Sequence, residues 1–256
     1  IPEPIIVEAD AVVVTTGGSP RLAGLEMLRP LNLEIVPPVP SLFSLCLPGH
    51  PLNALMGTVV ENAVVGIPGT KMKAEGPLLI THWGLSGPAV LKLSSYAARM
   101  LQENGYRCRI AVNWFGNQKE QVVVQELQEL ASRHSQKQLQ SAYPSVFNAR
   151  LWRYLVTCCK LRPDCRWGEL QSGTFVRMAA MLTNHVLVVD GKNRFKEEFV
   201  TCGGVALSNV DASTLECRSH PRLFFAGEVL DVDAITGGFN LQAAWTMGYV
   251  VAAHLQ

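Results

Sequence analysis

Ala226-Gly-Glu-Val-Leu-Asp-Val-Asp-Ala-Ile-Thr-Gly-Gly-Phe-Asn-Leu-Gln242 is the stretch of this 256-residue sequence on which the fold turns. It follows Leu223-Phe224-Phe225, an apolar run that reads as a buried strand, and enters at once on Gly227 and the acidic Glu228. Asp231 and Asp233 come next, and Thr236-Gly237-Gly238-Phe239-Asn240 opens a helix. A glycine pair at a helix start exposes backbone N–H groups and the positive end of the helix dipole, which favour an anion or an electron-rich carbonyl. A carboxylate just after a strand can accept hydrogen bonds from sugar or ribityl hydroxyls. On spacing alone, a turn followed by a capped helix describes the same residues equally well.

Moving outward, the closing helix carries Leu241, Ala244, Trp245, Gly248, Ala252 and Leu255 on one side, and its small residues suit tight packing on a sheet. At the other end of the chain, Ile5 to Thr15 reads as extended, and Ala11-Val12-Val13-Val14-Thr15 lacks the polar alternation of a half-exposed strand, as in a parallel sheet buried on both faces. It stops at Thr16-Gly17-Gly18-Ser19-Pro20, where glycines let backbone approach a ligand or simply turn the chain. From Pro30 to Gly76 closely spaced prolines predict short strands of a barrel-like or sandwich-like region. Leu78 to Ser94 reads as strand, glycine-rich turn and a helix with Pro88 first.

Between Gln118 and Leu182 the apolar period becomes helical. Val123, Leu127, Leu130 and His134 share a face; Phe147, Leu151 and Leu155 share another after a cap expected at Ser145; Phe175, Met178, Ala179 and Leu182 mark a third helix. His185 to Val189, the Asp190-Gly191 turn and Arg194 to Val200 then predict a hairpin. Strand elements at both ends with β and helical regions between suggest an α/β domain interrupted by an insertion.

Composition bounds the function classes. Apolar residues make up 48%, ample for a core, and 22 Lys plus Arg against 21 Asp plus Glu give a net charge of +1 without a long run of either sign. Nucleic-acid and membrane partners are therefore not expected. Seven cysteines, an odd number without a C-x-x-C pair, predict reduced thiols in a cytoplasmic compartment, with neither disulfide framework nor metal site. The longest apolar stretches, such as Ala54 to Ile67, fall short of a membrane span. The start at Ile1 suggests a fragment, with any targeting segment upstream.

Four motifs together carry a resemblance. Phe225 to Asp233 with Thr236 to Gln242, the Thr16 to Pro20 turn, Leu79-Ile-Thr-His-Trp-Gly-Leu-Ser-Gly-Pro-Ala-Val-Leu91, and Val200-Thr-Cys-Gly-Gly-Val205 occur in the order of the aminoacetone oxidase-like flavoproteins. That family belongs to the two-dinucleotide-binding-domain flavin enzymes and includes a reductase of bile-acid intermediates. The resemblance implies a discontinuous Rossmann-like FAD-binding domain at 1–29 and 201–256, a β-rich insertion at 30–117 and 184–200, and a helical subdomain at 118–183. Thr16, Gly17 and Gly18 would lie on the adenosine or pyrophosphate side of FAD. Gly227 and Glu228 would meet the ribityl hydroxyls, and the amides of Gly237, Gly238, Phe239, Asn240 and Leu241 the pyrimidine end of the ring, where a helix dipole favours anionic reduced flavin. Thr201, Gly203 and Gly204 are the substrate-side candidates.

Departures from the family pattern shape the expectation. The G-x-G-x-x-G loop of the family's first βαβ unit does not occur, and Gly66-Ile-Pro-Gly69 has the wrong spacing with no helix after it. An upstream nucleotide-binding segment is thus expected to complete the site, and the chain by itself to be inactive. Ala234 stands where the family usually has glycine and Cys202 where it has alanine. For acid–base work His82 is the histidine placed in a glycine-rich turn, with a turn-holding role as its alternative. The sequence therefore predicts a flavin-dependent oxidoreductase acting on a small organic substrate, with NAD(P)H as an electron donor; the alternative is a binding or scaffolding module that has lost its nucleotide-binding half.

Overall fold

The apolar runs at the two ends of the sequence find each other. In the computed structural model, which describes residues 5–19, 21–193 and 200–255, Val12–Val14 (β1) lies parallel to Leu223–Phe225 (β10), with Val12 opposite Leu223 and Val14 opposite Phe225. Elements are numbered in chain order. The chain divides into two units, Ile1–Leu42 with Lys196–Gln256, and Phe43–Phe195.

In the first unit, Ile35–Ser41 (β2) pairs antiparallel with Val200–Val205 (β9), with a register shift between Val36 and Val39 at the Pro37-Pro38 step, where proline supplies no ladder donor. The prolines had grouped residues from 30 onward with the β-rich insertion; this pairing keeps the chain as far as Leu42 with the first unit. The core of the unit gathers Leu25 and Leu28 from a 3-10 helix at Leu22–Leu31 with Val205, Phe224, Phe225, Val229, Leu230 and Val251.

The closing helix, α6, spans Phe239–Leu255. Its fully buried residue is Val251, with Met247 and Val250 packed beside it. On the face expected to meet a sheet, Leu241 and Trp245 are instead 63% and 70% exposed, and the neighbouring Tyr249 is 76% exposed. Apolar residues surround this helix, so periodicity could not choose its inner face. Val12, expected to be buried, is 52% exposed.

The second unit is a barrel with helices attached. Leu45–Cys46 (β3), Val59–Gly66 (β4), Lys73–Ile80 (β5), Gly84–Ser86 (β6), Arg107–Asn113 (β7) and His185–Asp190 (β8) form one antiparallel sheet in the order β3-β6-β5-β4-β7-β8. Its ends meet: Leu45 bridges Lys192, the Cys46 amide donates to Gly191 O at 2.9 Å, and the Asn193 amide to Ser44 O at 3.0 Å. Val186 and Val188 point outward and Leu187 and Val189 inward, the period-2 pattern of a strand with one buried face. Of the hairpin expected at 185–200, the first arm is β8, which pairs with β7; residues 194–199, most of the second arm, lie outside the described residues, and Val200 pairs with Ser41.

Pro88–Tyr96 (α1) begins on proline after Gly87, whose φ of 89° a side chain would oppose, and Ala98–Glu103 (α2) follows. The helical period resolves into Glu120–Arg133 (α3), Ala149–Cys158 (α4) and Ser172–Thr183 (α5). The cap of α4 is Asn148, whose side chain accepts the Leu151 amide at 2.8 Å, three residues later than expected. A ladder of rings, Phe147 on Trp152 at 5.7 Å, Trp152 on Trp167 at 6.1 Å and Trp167 on Phe175 at 6.5 Å, joins α4 to α5. The indoles of Trp152 and Trp167 donate to Leu139 O and Ala142 O at 2.7 and 2.9 Å, so their burial leaves no polar group unpaired. Among the described residues, no helix is long and apolar enough to cross a membrane.

Candidate functional site

Both β1 and β10 end in backbone that only glycine adopts comfortably, Gly17 at φ 75° and Gly227 at φ 82°. Because the strands are parallel and in register, the two turns leave the sheet at the same end, where ligands of open α/β sheets bind. The Ala226 amide donates to Val14 O at 3.1 Å and holds them together. They bound a cleft of about 300 Å³ in the first unit. Thr15, Gly17, Ala226, Gly227 and Glu228 line it from the strand side, and Asn240, Leu241, Ala243, Ala244, Met247 and Gly248 from α6. The small residues of α6, expected to pack on a sheet, thus open this space.

Glu228 is fixed by its surroundings. Its Oε1 accepts the backbone N–H of Thr201, and a Cβ on Gly18 would lie 2.6 Å from both that oxygen and Thr201 Oγ1. A side chain at position 18 would therefore displace the Glu228 carboxylate or the Thr201 hydroxyl. Oε2 of Glu228 has no hydrogen-bond partner among the described residues, and Glu228 is one of the residues that line the cleft. The far side is held by Asn240, whose side chain accepts the Ala234 amide at 2.8 Å and donates to Ala234 O at 3.0 Å. Ser41 Oγ donates to Asp233 Oδ2 at 3.0 Å and ties the same loop to β2. Asn240 therefore acts through both amide ends and leaves the first backbone N–H groups of α6 unused by the helix.

Of the residues singled out in the sequence, the structure brings Gly17, Gly227, Glu228, Asn240 and Leu241 to the cleft, with Gly18 and Thr201 touching Glu228 from behind. Thr16, Gly237, Gly238 and Phe239 are outside its lining. Gly203 and Gly204 are buried in β9 at φ 109° and 148°, where added Cβ atoms would strike Pro37 O at 2.6 Å and Val229 O at 2.5 Å. Their absence of side chains is demanded by packing. His82, in the second unit, is exposed and lies edge-on to Trp83 at 4.3 Å. Its turn is held by Thr81, whose Oγ1 donates to Gly84 O at 3.0 Å. Thr15, Val232, Ala243 and Met247 were not foreseen; the small-residue run of α6 was the signal for Ala243, while the others join through the tertiary fold.

All seven cysteines are thiols, and among the described residues no group of His, Cys, Asp and Glu could hold a metal ion.

A glycine-lined cleft in an α/β unit whose sequence is interrupted by a barrel with helices defines a class, and comparison with known proteins identifies it. The chain belongs to the HI0933-like family: residues 39–200 match the model of the HI0933-like protein barrel and H2TH domain. The flavoprotein resemblance read from the four motifs holds at the level of the family. A 3-dehydro-bile acid delta(4,6)-reductase of Clostridium scindens is 27% identical over 94% of this chain and 61% of its own length. Ribosomal RNA dihydrouridine synthases of Escherichia coli and Haemophilus influenzae are 29% and 26% identical, over 97% and 94% of this chain and 61% and 59% of their own. The chain thus spans about three fifths of the length of these relatives.

Proposed function

We propose that this chain belongs to an FAD-dependent reductase, supplying its barrel and helical region together with part of a discontinuous Rossmann-like FAD domain. The carrying observation is the cleft at the ends of β1 and β10, where six of the twelve lining residues are glycine or alanine and Glu228 supplies a carboxylate. The residues fit the group. Gly17 and Gly227 admit close approach, Glu228 Oε2 is available to sugar or ribityl hydroxyls, and the free N–H groups at the start of α6 favour an electron-rich carbonyl. When bound, FAD supplies hydride transfer, with NAD(P)H as the proposed donor.

The remaining roles follow from that assignment. Thr201, through its N–H, holds Glu228 in place and presents a hydroxyl next to it; Thr201, Gly203 and Gly204 are the substrate-side strand, and His82 the proton-relay candidate. The exposed α6 face of Leu241, Trp245 and Tyr249 is proposed to be covered by a nucleotide-binding segment carrying the phosphate loop, consistent with the share of its relatives that the chain spans. The thiol state of the cysteines supports a cytoplasmic setting. The named activities of the relatives support a reductase whose substrate is an unsaturated ring, either a free small molecule or a base presented by RNA.

The test is to purify the protein expressed from its full reading frame and record its visible absorbance, then add NADH or NADPH without oxygen. Yellow protein bleached by one of the two supports the assignment. Colourless protein that also refuses added FAD overturns it.

A further inference from the structure

The net charge of +1 conceals a separation of sign. Between Arg133 and Arg166 the sequence holds seven arginines and lysines against one carboxylate, Asp164, while the rest of the chain holds 15 basic and 20 acidic residues. We propose that the outer face of α4 and the adjoining 136–166 loops in the second unit bind the phosphate backbone of RNA. This rests on the substrate reading above only for the choice of RNA among polyanions.

The residues are presented together. Arg150 and Arg153 lie on the exposed side of α4, opposite the buried Leu151, Trp152, Leu155 and Val156, and Lys160 continues that side just past the helix end. The loops beside it are joined by backbone bonds, Leu139 N to Cys165 O at 2.9 Å and Trp167 N to Lys137 O at 3.1 Å, with Gln138 bridged to Arg166. Those bonds set Lys137 beside Arg166, whose guanidinium reaches Gln136 at 3.4 Å. Acidic groups are sparse: Asp164 faces Arg162 at 3.5 Å, Glu169 is taken by the Cys165 thiol and the Arg166 amide, and Glu129 pairs with Arg133. Lys137, Arg150, Arg153 and Lys160 have no carboxylate partner among the described residues, and Arg150 turns to the Ala54 carbonyl at 2.8 Å.

Uncompensated, exposed cations on a rigid frame are the footprint of a phosphate-tracking surface, and arginine's planar fork suits phosphate oxygens. A lipid surface fits less well. Membrane-binding helices offer apolar residues beside their cations, whereas the apolar side of α4 is locked in the core and its outer side adds Ala149 and Thr157. Four cations without carboxylate partners predict binding to single-stranded RNA that weakens with salt at a log–log slope of about −3.

The experiment follows fluorescence anisotropy of a labelled single-stranded RNA oligonucleotide with the full-length protein across a salt series, beside vesicles rich in phosphatidylserine. The expected result is RNA binding that weakens roughly tenfold, with a slope shallower by about two, in the Arg153→Glu/Lys160→Glu variant. Lys73→Glu, an exposed lysine of β5 outside this face, should bind as the unmodified protein does. Should the double variant unfold, Arg153→Gln/Lys160→Gln keeps the test, with loss in the same direction. Absence of RNA binding, binding unchanged in the variants, or capture by vesicles but not by RNA overturns the proposal. Flavin absorbance of the same preparations keeps the two readings apart: yellow protein that ignores RNA defeats this one alone, and colourless protein that binds RNA defeats only the cofactor assignment.

Discussion

Acidification should loosen the second unit through His185, and the size of the effect can be worked out. His185 begins β8, and its Nδ1 accepts the indole N–H of Trp114, itself fully buried, at 3.1 Å. An imidazolium carries a proton on both nitrogens, so charging this ring would set N–H against N–H and leave the indole unpaired. Burial is the larger cause of the shift, and the neighbouring His50 opposes a second positive charge; together they push His185 down to about 4. The ring of Tyr154 lies 6.2 Å from His185 and 6.5 Å from His50, and supplies no negative charge, because burial first and Cys158 second push its phenol up. His50 is lowered by burial, and its Nδ1 is engaged with the Leu52 amide at 3.3 Å.

The unfolded chain protonates this imidazole near its ordinary value, about 6.5, and the folded one only near 4. Between those values the unfolded state holds more protons, so the stability is whole above pH 6.5 and falls as pH drops. From pH 7 to pH 5 the loss is about 2 kcal/mol from His185 alone. For a unit of this size that corresponds to a fall in Tm of about 4–8 °C. Intrinsic tryptophan fluorescence reports it, since four of the five tryptophans, Trp83, Trp114, Trp152 and Trp167, lie in this unit. His185→Gln keeps an acceptor for Trp114 without a titrating group, and its melting temperature should be flatter over the same range. Equal pH dependence in the two proteins would refute the argument.

Other consequences can be checked individually. Gly18→Ala drives a methyl into Glu228 and Thr201; displacement of that carboxylate should weaken FAD binding by about tenfold or more, read by flavin fluorescence, at a stability cost of about 1–3 kcal/mol. Asn240→Ala removes both bonds to Ala234 and should cost about 1–2 kcal/mol by urea unfolding while raising amide exchange in the 231–238 loop. Truncating the fully buried Trp152, which stacks on two rings and bonds Leu139 O, should cost about 3–5 kcal/mol as Trp152→Ala. Asn148→Ala removes the α4 cap and should lower stability by about 1 kcal/mol, with Ser145→Ala close to neutral.

Local chemistry was legible and long-range partnership was not. The valine run of β1, the Gly87-Pro88 start of α1 and the apolar stripe of α5 were all readable because each signal lies within its own element. Asn148 and Ser145 are both competent caps after Pro144, and only the backbone decides which amide comes within reach. Strand β8 was readable as an apolar run ending at the Asp190-Gly191 turn, but its partner β7 begins 78 residues earlier at Arg107. Periodicity carries no information about such a pairing. At the cleft, Gly17, Gly227 and Glu228 announced themselves by turn chemistry and charge, whereas Met247 and Val232 reach it only through the packing of α6. Total charge hid the basic stretch because its excess is balanced by acids elsewhere.

The cleft and the stability of α6 are one problem. A helix owes its persistence in a protein chiefly to the burial of one face, and in α6 that face is Val251 with Met247 and Val250, from the middle of the helix onward. The stretch from Asn240 to Gly248, which lines the cleft, is held by the Asn240 clamp and by the Gly227 amide donating to Met247 Sδ at 3.2 Å. Small residues at Ala243, Ala244 and Gly248 bring little burial there, and glycine lowers helix propensity further. A ligand seated against these residues would bury them and satisfy the free amides at the helix start, which the protein cannot do for itself without closing the cleft. Occupancy of the site and order in the first half of α6 must then rise together, since whatever binds the ordered form stabilises it by mass action.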